Sequence, residues 1–188
     1  MAAIRLFLAL NTPPEARAKI AGVRETLRAA AADVHWEPDA KLHCTLKFLG
    51  DTDERLVPAI SDAIQSAATP FPPFPVSYRS LGVFPTWRNP RVIWIGMEDP
   101  GSILLHLYQG LDRALAGIGI PQEDRAFHPH VTIGRVRGPK NLRNLITTME
   151  TTTFECAPAL MEEVHLVRSE LRPGGSAYTI LKSFSLKP

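Results

Sequence analysis

Two stretches of this sequence resemble one another: residues 42–50 read LHCTLKFLG, and residues 129–136 read PHVTIGRV. Both contain His-x-Thr followed by an aliphatic residue, both have the composition of a strand, and both precede a short loop and a predicted helix. They lie nearly half of the 188-residue chain apart. An internal repeat of this kind predicts two similar halves that pack as pseudo-symmetric lobes.

The geometry of a strand decides where the repeated side chains point. Side chains alternate between the two faces, so His43 and Thr45 project from one face, and His130 and Thr132 project together likewise. If the two lobes face each other, the two pairs converge on one cleft. Spacing alone leaves two structural histidines as an equally good interpretation.

Apolar periodicity on both sides of the repeats predicts the rest of the fold. The predicted helices cover residues 12–32, 53–67, about 100–117 and about 142–149. The predicted strands cover residues 4–10, 34–37, 42–49, 76–83, 92–97, 130–136, 153–156, 160–169 and 177–186, and the last two form a hairpin around residues 173–175. Because several strands are adjacent in sequence, we expect an α+β fold with mostly antiparallel sheet, outer helices and a central cleft between the lobes.

Local features predict the ends of several elements. Thr12 and Glu15 have the spacing of a capping box at the first helix. Gly50 is expected to end its strand, and Leu56 is expected to begin the buried face of the second helix. Residues 84–91 are expected to form a loop.

Composition limits the class of protein. Apolar residues make up 45% and charged residues 21% of the chain, which is typical of a globular protein and not of a disordered one. A net charge of +2 suits a partner with a few phosphates but not a protein that coats nucleic acid. Cys44 and Cys156 form no disulfide framework, and no stretch is apolar enough to span a membrane, so a cytoplasmic location is expected.

The repeated residue types indicate acid/base chemistry. Two imidazoles titrate near neutral pH, so one can accept a proton while the other donates one. Two threonine hydroxyls add short neutral hydrogen bonds to anionic oxygens. Together these groups would fit a phosphodiester held in line between the two histidines.

At these residues the sequence resembles the 2H phosphoesterase superfamily, and within it the RNA 2′,3′-cyclic phosphodiesterases, also called the 2′-5′ RNA ligase family. The resemblance extends to residues 5–10, 94–96, 127–135 and 169–171 and to Tyr178, and so to essentially the whole chain. It implies one bilobal domain over residues 1–188.

The resemblance implies hydrolysis of an RNA-terminal 2′,3′-cyclic phosphate to a 2′-phosphate without metal or other cofactor. Applied to the matching positions of this sequence, the resemblance implies that His43 protonates the leaving 3′ oxygen and that His130 activates water. It also implies that Thr45 and Thr132 hold phosphate oxygens. RNA ends or cyclic nucleotides are the expected substrates. A monomer without membrane contact is expected.

The resemblance also implies roles for two further residues, but less directly. Arg135 matches a phosphate-contacting arginine of the family, and Phe48 occupies the equivalent place in the first repeat, where it could stack on a base. Strict alternation puts both on the face opposite the histidines, so a strand irregularity is needed to bring them into the cleft. A core position is the alternative for Phe48, and Cys44 is expected to pack away from the cleft.

Other interpretations remain open. The same residues could join RNA ends through a 2′-5′ linkage, act on small cyclic nucleotides, or bind nucleotides without catalysis. Zinc held by His128 and His130 is a weaker alternative, because no acidic or cysteine partner has ligand spacing. Arg88, Arg91 and Lys47 could line an approach path for RNA or belong to a solvated charged surface.

Overall fold

The computed structural model describes residues 3–173 and 175–187 of the chain. Its strands are β1 (Ala3–Asn11), β2 (Val34–Trp36), β3 (His43–Asp53), β4 (Phe74–Thr86), β5 (Asn89–Glu98), β6 (His130–Val136), β7 (Glu155–Met161), β8 (Glu163–Arg172) and β9 (Gly175–Ser185). Its helices are α1 (Pro14–Arg28), α2 (Val57–Ala68), α3 (Ile103–Ala116) and α4 (Leu142–Thr151). In this described part, no helix is long and apolar enough to cross a membrane.

The strands form one sheet in the order β7-β4-β5-β6-β3-β1-β8-β9, with β2 also paired to β6. All of these pairs are antiparallel, which confirms the predicted α+β class. Strands β3 and β6 meet only through the pair Cys44 and Val131. The sheet therefore divides there into a four-stranded half, β9-β8-β1-β3, and a five-stranded half, β6-β5-β4-β7 with β2 on β6. At the division, β3 and β6 each begin with a repeated histidine.

The helices join the two halves to one another. Helix α1 follows β1 of the first half but packs against β7 and α4 of the second. Helix α3 follows β5 of the second half but packs against β3 and α2 of the first. Each half of the sheet is thus covered by two helices, one that follows a strand of that half and one that follows a strand of the other half. A single apolar core runs beneath the whole sheet. Each fully buried apolar side chain in it contributes about 1.5–3 kcal/mol to stability.

Three predictions about the ends of elements are wrong. The Thr12 backbone N–H donates to the Leu42 carbonyl, Pro13 takes the capping position, and the helix starts without a side-chain cap and ends at Arg28. Gly50 does not end its strand: with φ of 69° it is accommodated within β3, which continues to Asp53. Leu56 lies in a 3₁₀ turn before α2 and is 44% exposed.

The segment predicted as a loop at residues 84–91 is mostly strand. Strand β4 reaches Thr86 and β5 begins at Asn89, so only Trp87 and Arg88 form the turn of a hairpin. Near the end of the chain, β7 extends through Leu160 and Met161, which were predicted to belong to the next strand. The predicted final hairpin is present as β8 and β9, although Gly174 of its turn lies outside the described residues.

Lys47 does not line an approach path, because its side chain is buried on the helix side of β3. Its Nζ lies 2.5 Å from Asp112 Oδ1 and donates to the Pro121 carbonyl at 2.7 Å. Asp112 also accepts from the Glu123 backbone N–H at 3.2 Å. This buried ion pair fixes α3 and the start of the chain segment that leads to His130.

We expect Asp112→Ala to lower the free energy of unfolding by about 3–5 kcal/mol, since it leaves the Lys47 ammonium buried without a counter-charge. Combining Lys47→Met with Asp112→Leu should recover most of this loss, because no buried charge then remains. Urea unfolding followed by circular dichroism measures both effects. Arg28→Ala, which removes an exposed ion pair with Glu25, is the control and should cost less than about 1 kcal/mol. A similarly small effect of Asp112→Ala would contradict the assigned role.

Candidate active site

The four repeated side chains lie around the point where the two halves join. Cys44 and Val131 are paired and buried, so the neighbours of each project from the opposite, helix-free side of the sheet. Extending this antiparallel register by one residue sets His43 toward Thr132 and Thr45 toward His130. We call this side of the sheet the histidine face. The burial of Cys44, which raises its thiol pKa to about 12, fits the packing role expected for it.

Both histidines are held in the same way by the backbone. His43 Nδ1 lies 2.6 Å from the Lys41 carbonyl oxygen, and His130 Nδ1 lies 2.6 Å from the His128 carbonyl oxygen. A carbonyl oxygen only accepts, so Nδ1 carries the proton in both rings and Nε2 is the nitrogen that exchanges protons. The Thr45 hydroxyl lies 3.1 Å from His43 Nε2.

Aromatic rings enclose each imidazole. The His43 ring has Phe7 at 5.0 Å and Tyr178 at 5.4 Å between ring centres. The His130 ring has Phe84 at 5.0 Å and Trp94 at 6.2 Å. These contacts limit the rotation of both imidazoles and remove water from their faces.

Two neighbouring residues explain how these aromatic rings are accommodated. Gly82 leaves room for the Trp94 indole, since a Cβ at this position would overlap the ring. Lys41 Nζ donates to the Ser176 carbonyl at 2.5 Å and lies 5.7 Å from the centre of the Tyr178 ring. Lys41 thereby fixes the β8–β9 hairpin beside His43.

Burial dominates the electrostatics of both imidazoles. Desolvation lowers the pKa of His43 below the ordinary 6.5, while the Lys41 carbonyl and the Glu37 carboxylate oppose this and His130 and Arg135 add to it. Desolvation also lowers the pKa of His130, against the His128 carbonyl and together with the charges of His128 and Arg135. Of the two, only His43 has a carboxylate that favours its protonated form.

A strand irregularity repeated in both halves brings Phe48 and Arg135 to the histidine face. The β1–β3 pairing has two extra residues, Leu46 and Leu49, and the β5–β6 pairing has one, Ile133. Leu46 and Ile133 each stand three positions after a repeated histidine. The burial of the seven residues from each histidine is consequently the same in both strands, with two consecutive buried residues before an exposed one. Each irregularity shifts the alternation by one residue.

The exposed residues after the two irregularities are different in kind. Phe48 is 68% exposed, 6.1 Å from the Phe7 ring, and is not a core residue. Arg135 Nε lies 3.3 Å from Glu37 Oε1, and its side chain is 56% exposed. Glu37 is itself held by Arg24 of α1, which donates to the Glu37 carbonyl at 2.7 Å.

Comparison with known proteins identifies the family of this chain. The family model of the 2′-5′ RNA ligase superfamily matches residues 12–173. The chain belongs to this superfamily. A Methanothermobacter thermautotrophicus protein named RNA 2′,3′-cyclic phosphodiesterase is 36% identical over 97% of this chain and 99% of its own length. An Escherichia coli protein of the same name is 30% identical over 97% and 96%.

Solved structures show the same likeness over nearly the full length. A Thermus thermophilus protein has a TM-score of 0.83 at 30% identity, with 98% of each chain covered. Escherichia coli LigT without ligand has a TM-score of 0.80 at 26% identity, with 100% of each chain covered. LigT has also been solved in complex with 3′-AMP.

Most of the side chains around the two histidines of this superfamily member were not predicted from the sequence. Phe7 and Trp94 lie in apolar strand runs whose two faces cannot be distinguished by composition. Tyr178 and Glu37 reach the site only through the positions of the β8–β9 hairpin and β2. Within residues 3–173 and 175–187, no group of three or more His, Cys, Asp or Glu residues could hold a metal ion.

The lowered histidine pKa values predict that acid destabilises this superfamily member. The unfolded chain takes up protons near pH 6.5 and the folded His43 and His130 do so only at lower pH, so the free energy of unfolding should fall as pH drops below 6.5. His43→Gln and His130→Gln should each reduce this fall in urea titrations at several pH values. His106→Gln, at an exposed position of α3, is the matched control. An unchanged fall in both site variants would contradict the prediction.

Proposed function

We propose that this chain hydrolyses the 2′,3′-cyclic phosphate at an RNA end to a 2′-phosphate by paired histidine acid/base catalysis. The observation that carries the proposal is the matched anchoring of both Nδ1 atoms, which leaves both Nε2 atoms on one face beside the junction of the halves. Relatives named RNA 2′,3′-cyclic phosphodiesterase support the choice of substrate.

In the proposed reaction, His130 Nε2 takes a proton from water while the water oxygen attacks phosphorus. The bond between phosphorus and the 3′ oxygen breaks, and the protonated Nε2 of His43 gives its proton to that oxygen. The products are a 2′-phosphate and a 3′-hydroxyl. Each imidazole ends in the protonation state in which the other began, and proton exchange with solvent restores both.

The surrounding groups suit these roles. Arg135 and the hydroxyls of Thr45 and Thr132 would stabilise the negative charge that develops on the phosphate oxygens. The Glu37 carboxylate favours the protonated form of His43, as a general acid requires. Phe48 would stack on the base of the terminal nucleotide.

We further propose that residues 1–188 form one bilobal 2H phosphoesterase domain that needs neither metal nor cofactor. The shared core and the crossed helices α1 and α3 support a single unit. The cytoplasmic location and the monomeric state stay predictions of the sequence.

Formation of a 2′-5′ linkage is the second candidate. The aromatic pair Phe84 and Trp94 lies beside His130, on the other side of the junction from Phe7 and Tyr178. A second nucleoside could occupy this side and present its hydroxyl in place of water, with the same acid and base. A role in binding alone is disfavoured, because both histidines and both threonines are present.

The test is conversion of a short RNA ending in a 2′,3′-cyclic phosphate, with EDTA present, followed by product analysis. We expect a 2′-phosphate product, and we expect His43→Ala and His130→Ala each to lower kcat/KM by about 10²- to 10⁴-fold. Thr45→Val and Thr132→Val should have smaller effects. His106→Ala is the matched control. Full activity in either histidine variant, or strict dependence on added metal, would contradict the mechanism.

The pKa directions also predict the pH dependence of the rate. Catalysis needs one imidazole protonated and the other neutral, so kcat/KM should peak between the two pKa values of the free enzyme, both of which burial lowers below 6.5. The maximum should therefore lie below pH 6.5, while kcat should peak at higher pH because bound phosphate favours imidazolium. Glu37→Gln should move the kcat/KM maximum to still lower pH. A kcat/KM maximum above pH 7 in the wild type would contradict the assignment.

A further inference from the structure

The two halves of the site match up to the strand irregularities and differ beyond them. Five and seven residues after His43 stand Phe48 and Gly50, whereas five and seven residues after His130 stand Arg135 and Arg137. A path with two guanidinium groups therefore leads away from only one of the two histidines.

A second strand extends this basic path. His35 of β2 is paired directly with Arg135 of β6, so their side chains share the histidine face. The Arg137 guanidinium donates through Nη2 to His35 Nδ1 at 3.1 Å. Because guanidinium only donates, Nδ1 accepts, and the neutral His35 ring carries its proton on Nε2, which is a further donor. We call Arg135, His35 and Arg137 the basic track.

Arg137 forms the outer end of this track. Throughout the described ranges 3–173 and 175–187, no carboxylate forms an ion pair with Arg137, whose guanidinium is held by a neutral imidazole. Asp33 accepts from the Arg137 backbone N–H through its carbonyl, and its carboxylate faces Gly138. Arg135, in contrast, shares its charge with Glu37. Arg137 is exposed and free to bind an anion from solvent.

The cation beside His43 on the opposite side of the histidine face is Lys41, whose ammonium already donates to the Ser176 carbonyl and lies over the Tyr178 ring. The exposed side chains around it include Phe48, Tyr178 and Ile180, above a small buried cluster of Phe7, Ala9 and Val167. This mainly apolar surface suits bases and ribose better than a series of phosphates. A charged RNA strand would therefore leave the site along the basic track.

We propose that Arg137 and His35 bind the phosphodiester on the 5′ side of the terminal nucleotide, so that the enzyme prefers an RNA strand to a cyclic mononucleotide. This inference rests on the proposed function and adds the direction in which the RNA strand leaves. Arg137 stands one residue beyond the end of β6 and two residues after Arg135, where its backbone N–H donates to the Asp33 carbonyl. Two residues of extended backbone span about 7 Å, which is comparable to one nucleotide step of an extended single strand. Arg135 would then contact the reacting phosphate and Arg137 the next one.

The test measures binding of product, which does not depend on turnover. Two probes are compared: a short oligoribonucleotide ending in a 2′-phosphate, and a nucleoside 2′-monophosphate that lacks the 5′ phosphate. Arg137→Gln should weaken binding of the oligonucleotide about tenfold and leave binding of the mononucleotide unchanged. The slope of log Kd against log salt for the oligonucleotide should fall by about 0.7, the value for one contact with a single strand.

Two further variants sharpen the result. Arg137→Lys keeps the charge and should retain the salt slope, while the matched control Arg143→Gln removes an exposed arginine from α4 and should change neither affinity. Equal losses for both probes, or no loss for the oligonucleotide in Arg137→Gln, would overturn the inference. Failure of the proposed function has a different result, namely absent turnover of both a cyclic-phosphate RNA end and a cyclic mononucleotide by the wild type.

Discussion

The antiparallel pair formed by Cys44 and Val131 is the contact on which the rest of the site depends. It joins the two half-sheets at the strands that carry the repeated histidines, and both of its side chains are buried in the common core. Because neighbours in a strand project to opposite faces, burying this pair forces His43, Thr45, His130 and Thr132 to the helix-free side. Helices α1 and α3, each packed across the junction, keep the halves from separating.

The extra residues Leu46 and Ile133 bring additional side chains to the histidine face. In a regular strand, the residue that follows the histidine and the threonine on the histidine face would be Lys47 in β3 and Gly134 in β6. The one-residue shift brings Phe48 and Arg135 outward and turns Lys47 into the core, where Asp112 balances its charge. An exposed aromatic residue and a buried ion pair are thus two consequences of the same backbone feature.

The two halves place their histidines in equivalent positions, and the differences between the halves give the two histidines different roles. Both imidazoles have the same tautomer, similar aromatic neighbours and a pKa lowered by burial. Glu37 acts on His43, which distinguishes a proton donor from a proton acceptor in the proposed reaction. The basic track lies only in the second half, which would give a bound strand one direction.

The sequence by itself determined the repeated strands, the α+β class and the pairing of each histidine with its threonine, because these depend on local periodicity and on the alternation of side chains. It also placed Cys44 away from the histidines for the same reason. Only the tertiary structure decided that Phe48 and Arg135 face the site, that Lys47 does not, and that Glu37, Tyr178 and His35 surround it. Strand irregularities and contacts between distant segments arise from packing over the whole core, and no local pattern of residues specifies them.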